Sequence, residues 1–343
     1  MTIRTGARPR EDTRLARFRA RALPAQSRWG RIQTGPSRPP LTHVTIRIAN
    51  APCSWGALEF DLAAPAPDYA QVLDEMAATG YAGTELGDLG FMPTEPGRLR
   101  SELARRGLAL VAAFVPVALA DPAEHAAGEE VAVRTARLLG AASDERPLIV
   151  LADDNGSVAM RTAQAGRIGP EHGLRDSAWD TFAAGAMRIA RAVRDVTGLG
   201  TVFHPHCAGY VETPMEIDAL MGRTDPALLG LCLDTGHLTY GGGDPLAALS
   251  RHGDRVWHVH FKDCHPAVAD EARQRGWDYF EAVRRGLFCE LGRGSLDFSA
   301  VAVALAGHGY SGWIVVEQDV LPGLGTPVES ARRNREYLRS LDL

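Results

Sequence analysis

The chain has 343 residues, 45% hydrophobic and 23% charged, with a formal net charge of −5 and a pI near 6.1. This is globular composition in a chain too long for one minimal domain, and its acidic balance argues against a dedicated nucleic-acid binder. No apolar run approaches the roughly 20 residues that a membrane span needs, and five cysteines without C-x-x-C spacing argue for a reducing cytoplasm rather than a disulfide framework or zinc ribbon.

Residues 1–43 carry ten Arg against Glu11 and Asp12, with Pro and Ser but neither apolar periodicity nor the apolar stretch of a secretory signal. They are expected to form a disordered arm. The alternatives are an anion-binding or targeting tail, or a translation start placed too far upstream.

From residue 44 to 343, short apolar runs alternate with amphipathic stretches, the pattern of a parallel sheet covered on both faces. Strands are expected at Ile46–Ala49, Gly83–Leu86, Ala109–Phe114, Leu148–Ala152, Thr201–His204, Leu229–Leu233, Val256–Phe261 and Trp313–Val316. Helices are expected between them, at Tyr69–Thr79, Arg98–Arg106, Val131–Ala142, Trp179–Val196 and Phe298–Gly307, with Asp68 and Asp297 as caps. Eight β/α units in about 300 residues point to an α/β fold, a single (β/α)8 TIM barrel. No Gly-x-Gly-x-x-Gly follows the first strand, which counts against a dinucleotide fold. The connection from Pro266 to Leu296, with a helix expected at Asp270–Arg285, is either a lid or a simple cap on the barrel end; its length favours the lid, because long ordered loops in compact domains tend to be functional.

In such barrels the reacting groups stand at the C-terminal strand ends. Read in order, these ends offer Asn50 and Trp55, Glu85, Asp153 and Asp154, His204 and His206, Asp234 and His237, His260 and Lys262, and Glu317. In Trp257-His-Val-His-Phe-Lys-Asp263, period-two alternation puts His258, His260 and Lys262 on one face; His204 and His206 share a face likewise. Singly, each has an ordinary explanation, since a buried His can serve a carbonyl and Asp234 can cap the turn after it. Jointly they suit a divalent metal, whether Mn, Co, Fe, Mg or Zn. Lys262 is the only lysine against 36 arginines, so a compact ammonium was kept where guanidinium serves everywhere else.

At these residues the chain resembles the xylose isomerase-like superfamily of sugar isomerases, epimerases and dehydratases. Within it, Ile46-Arg-Ile-Ala-Asn-Ala-Pro-Cys-Ser-Trp-Gly56, His204-Pro-His206, Leu233-Asp-Thr-Gly-His237, His258-Val-His-Phe-Lys-Asp263 and Val316-Glu-Gln-Asp319 resemble the inosose dehydratase branch, over residues 45 to 340. The resemblance implies a divalent metal, Mn or Co foremost, on Asp234, His260, Glu317 and a strand-five ligand. That ligand is taken as His204 rather than His206, because its register and Pro205 match the family's Glu-Pro arrangement; the change from Glu departs from the two-glutamate exchange of the epimerases.

The same resemblance implies enolisation of a keto-inositol and β-elimination of water. His206 or Glu317 would be the base and Lys262 or His237 the acid or oxyanion partner, with Asn50, Trp55, Glu85 and Asp153 around the substrate. The partner is then a small cyclitol or sugar, not nucleic acid or membrane, and a homo-oligomer is compatible with the sequence. A ketose or cyclitol epimerase or isomerase is the alternative. An apurinic-site nuclease would want a basic face, and a non-catalytic sugar binder would not need Lys262.

Overall fold

Eight short apolar runs pair in parallel into one closed barrel: β1 (Ile46–Asn50), β2 (Gly83–Glu85), β3 (Ala109–Val117), β4 (Leu148–Asp153), β5 (Thr201–Phe203), β6 (Leu229–Asp234), β7 (Val256–Phe261) and β8 (Gly312–Val316). Each neighbours the next in sequence, and β8 closes on β1 with Asn50 beside Val316. The computed structural model describes residues 45–56, 67–321 and 323–343. The expected arm, 1–43, lies outside the described residues.

The strands read as continuous apolar runs because both faces are covered. Inward, Val111, Val150, Val202, Cys232 and Val315 form one cluster. Outward, Ile149, Phe203, Leu231, Val259 and Ile314 pack in the main core, which also takes Phe182 and Ile189 of the helix Asp176–Thr197. Two tryptophans near the strand starts fill the lower barrel. A Cβ on Gly83 would lie 2.9 Å from the Trp313 ring, and one on Gly230 would run into Trp257, so only glycine admits these rings.

The caps follow sequence chemistry: Asp68 accepts from Ala70 N and Asp297 from Ala300 N. Expected starts were late where the cap was less obvious. The second helix begins at Pro96, two residues before Arg98, because Glu95 caps it through Gly97 N and Arg98 N. Strand β3 runs on to Val117, past the expected end at Phe114.

The connection after β7 departs most from expectation. The single helix Asp270–Arg285 is two, Pro266–Arg275 and Tyr279–Arg284: Gly276 ends the first in a left-handed conformation, φ 66°, and Asp278 caps the second by accepting from Glu281 N at 2.8 Å. Asp263–Cys264 pairs antiparallel with Phe288–Cys289. The Asp263 carboxylate accepts from the backbone of Cys264, Gly292, Gly294 and Leu296 and gathers the returning loop. Tyr279, Phe288 and Leu287 then pack with Cys207 and Ala208 of the loop after β5 in a second apolar cluster. The segment is a packed roof over one side of the barrel mouth.

Among the described residues, no helix is long and apolar enough to cross a membrane.

Candidate active site

Register brings the ligand candidates together. Asp234 and His260 are direct neighbours across β6 and β7. Glu317 follows β8 one residue past the pair Val316–Phe261, with its N–H donating to Phe261 O at 3.0 Å. His204 follows β5, held by its N–H on Leu151 O at 2.8 Å. One ligand atom from each of these four side chains lies within 4.8 Å of the others. The separations are 3.6 Å from His204 Nε2 to Asp234 Oδ2, 3.8 Å from His260 Nδ1 to Asp234 Oδ2, and 3.3 Å from His260 Nδ1 to Glu317 Oε1.

Three polar atoms of this group lack a hydrogen-bond partner among the described residues. Asp234 Oδ1 accepts from His237 N at 2.7 Å, but its Oδ2 is buried without a hydrogen-bond partner, as are His260 Nδ1 and His204 Nδ1. Each buried orphan costs about 1–3 kcal/mol, and two of the three face one point. Two imidazoles and two carboxylates make a mixed N/O set that could hold a divalent cation. Cys232, two residues below Asp234 on the same face, also comes near His204 and His260. Burial pushes its thiol up to about 12, which makes it the poorer donor.

Glu85 orients this group from below. Its Oε1 lies 2.7 Å from His258 Nε2 and 3.0 Å from His260 Nε2. Burial pushes this carboxyl up, but the two imidazoles outweigh it and bring it down to about 2. An ionised Glu85 accepts from both rings.

Lys262 stands beside the group. Its Nζ is 3.2 Å from Glu317 Oε2, 3.4 Å from Asp319 Oδ2 and 3.4 Å from His237 Nε2, over the Phe288 ring at 4.8 Å. Burial works against the charge, but Asp319, Glu317 and Asp234 hold the ammonium well above its ordinary range. His206 and His237 stack at 3.8 Å between centroids. Both are held well below the usual imidazole range, first by burial and then by neighbouring histidines and Lys262.

Glu85, His204, His206, Lys262 and Glu317 all line one cavity at the strand ends. Asn50, Trp55 and Asp153 do not. Asn50 Oδ1 accepts from Ala51 N, and Trp55 Nε1 donates to Glu75 Oε2 at 2.7 Å within the main core. Asp153 accepts from Leu119 N and Tyr210 N, pinning two loops. Strand-end position is therefore not enough for access, since these three side chains meet backbone or core instead.

Sequence reasoning gave no site role to several residues that do line the cavity, among them Phe114, Tyr279 and Asp319. Phe114 packs edge-on against His204 with centroids 6.1 Å apart. Asp319 carried a signal, being two residues past Glu317 and thus on its face. Tyr279 carried none, because the roof segment brings it in.

The family model described as "Xylose isomerase-like TIM barrel" matches residues 73–341. The inosose dehydratase of Lacticaseibacillus casei (strain BL23) is 33% identical over 296 residues, 86% of this chain and 96% of the relative. That of Geobacillus kaustophilus (strain HTA426) is 34% identical over 300 residues, 86% and 94%. Among solved structures, a xylose isomerase-like TIM barrel/4-hydroxyphenylpyruvate dioxygenase fusion protein superposes with a TM-score of 0.66 at 18% identity, over 87% of this chain and 43% of that one. A probable 3-DHS dehydratase from Bacillus anthracis superposes with a TM-score of 0.62 at 12% identity, over 85% and 98%. At those identities the two structures speak for the fold alone.

Proposed function

Because this chain belongs to the xylose isomerase-like TIM barrel family, we propose from its site that it is a divalent-metal-dependent hydro-lyase, removing water from 2-keto-myo-inositol to give a trihydroxycyclohexane-dione. His204, Asp234, His260 and Glu317 would hold the metal, Mn or Co foremost. Bound there, it would supply Lewis acidity toward the ketone, lowering the cost of removing the neighbouring C–H proton.

The chain's own residues divide the remaining work. His206 Nδ1 faces the Cys207 carbonyl at 2.6 Å, so a neutral ring carries its hydrogen there and leaves a lone pair on Nε2. That lone pair takes the proton from the carbon beside the ketone. The Lys262 ammonium donates a proton to the β-hydroxyl, which leaves as water. A carbon–carbon double bond forms as the C–H and C–O bonds break, and the resulting enol shifts its proton to become the second ketone. Glu85, with Oε1 taken by His258 and His260, orients His260, and as a cavity-lining residue it keeps Oε2 for the substrate.

The observation that carries this reading is the Lys262 ammonium 3.2 Å from a member of the four-donor group, in the same cavity as a neutral imidazole. One acid and one base of different chemistry suit elimination, where a proton leaves carbon and another reaches oxygen. An epimerase returns its proton to carbon. The curated relatives named inosose dehydratase, alike over most of their length, favour the same choice. The test is incubation with 2-keto-myo-inositol and Mn(II) or Co(II), following the ultraviolet absorbance of the dione or its enol. An epimerised ketone without that absorbance would sink the dehydratase reading, and undiminished turnover after exhaustive chelation would sink the metal.

A further inference from the structure

Two carboxylates reach Lys262 Nζ, Glu317 Oε2 at 3.2 Å and Asp319 Oδ2 at 3.4 Å, and their situations differ. Glu317 Oε1 faces His260 Nδ1 within the four-donor group, so a cation there would draw on its charge. Asp319 stands outside that group, lines the same cavity, and meets no described side chain but Lys262 through its carboxylate. We propose that Asp319 is the positioning residue for Lys262, anchoring the ammonium over the cavity when Glu317 is engaged by metal; this rests on the dehydratase reading above.

An ammonium is a compact, strongly hydrated charge on a flexible four-carbon stem. Here 2% of the lysine is exposed. Beside a divalent cation and out of water, such a charge is repelled unless a separate anion holds it. The root of the stem is secured: Thr235 Oγ1 donates to Lys262 O at 2.8 Å and accepts from Lys262 N at 3.0 Å. The head is not secured by its other neighbours. Phe288 offers only a ring face. His237 as a neutral ring has one lone pair, and Cys207 N–H competes for it at 3.4 Å from Nδ1.

Asp319 itself stands on a braced backbone. Gln318 N donates to Ser54 Oγ at 3.2 Å, and Gln318 Oε1 accepts from Asn334 Nδ2 at 2.9 Å. These contacts hold the residue between Glu317 and Asp319 outward, so both carboxylates face the cavity.

The single lysine supplies the test. Labelling the full chain with lysine carrying 15N at Nζ gives one resonance, needing no assignment. With Zn(II), which does not broaden signals, the Nζ protons should exchange slowly in the unaltered protein and rapidly in Asp319→Asn, with Asp319→Glu recovering part of the protection. Kinetically, Asp319→Asn should lower kcat for elimination about tenfold or more while KM and metal content stay within about twofold. In a Lys262→Met background the same change should alter kcat by less than about twofold, since a residue acting through Lys262 has nothing left to act on. Multiplicative losses in the double variant, or an unchanged Nζ resonance in Asp319→Asn, would overturn the assignment. If the unaltered protein does not dehydrate 2-keto-myo-inositol, the dehydratase reading fails, and the resonance alone then upholds or overturns the role of Asp319.

Discussion

His260 Nε2 and Glu85 Oε1 lie 3.0 Å apart, and an ionised carboxylate can only accept, so His260 keeps a hydrogen on Nε2 and the nitrogen left to meet a cation is Nδ1. That nitrogen is the one turned toward Asp234 and Glu317. A carboxylate behind a metal-binding histidine selects the tautomer, holds the ring and raises its basicity. Glu85→Gln keeps the shape and removes the charge. Its affinity for Mn(II) should fall about 10- to 100-fold, the usual effect of losing such a partner, as read by calorimetric titration of the metal-free protein. Affinity within twofold of the unaltered protein would show that Glu85 does not orient the site.

Lys262→Met retains much of the side-chain volume and leaves the four metal-binding candidates in place. Metal content should survive while turnover falls about 10²- to 10⁴-fold, the range for losing a general acid. The variant should still exchange the α-hydrogen of the substrate with deuterated solvent, because His206 remains. Exchange followed by mass spectrometry, beside elimination followed by absorbance, places the lysine after enolisation. Near-normal elimination would remove it from the mechanism.

A third outcome concerns pH and the loop after β5. Glu212 accepts from Gly166 N and Ala208 N, yet burial wins and pushes its carboxyl up to about 7. An acid whose folded-state value exceeds its unfolded value near 4.5 binds more protons folded than unfolded in between. Its contribution is therefore fully present at low pH and is lost as pH rises from about 4.5 to 7, with a limiting slope of about 1.4 kcal/mol per pH unit. Glu212→Gln lacks this group, so the stability of the unaltered protein minus that of the variant should shrink between about pH 5 and 7. Urea denaturation at intervals across that range measures it, and a difference that stays flat or grows would contradict the assignment.

Removal of residues 1–42 should leave metal content and turnover intact, because that stretch has no apolar periodicity with which to join a core. Loss of both in the shortened chain would make the arm part of the folded enzyme.

The eight strands and their order were legible in the sequence because a parallel strand buried on both faces must be apolar throughout, a pattern that helices between strands do not share. The ligand candidates were legible for a related reason. Asp234, His260 and Glu317 end such runs, and period-two spacing gives each a face. Tertiary structure alone decided which strand-end side chains reach the cavity. Asn50, Trp55 and Asp153 occupy the same kind of position as Glu317, but backbone N–H groups or Glu75 claim Asn50 Oδ1, Trp55 Nε1 and both Asp153 oxygens. Glu85 does line the cavity, and only the tertiary structure shows that His258 and His260, some 175 residues away, meet one of its two oxygens. Tyr279 reaches the site only because Asp263 gathers the roof segment and Gly276 breaks its helix. A strand's local pattern specifies which way a side chain points, whereas what it meets there depends on partners distant in sequence.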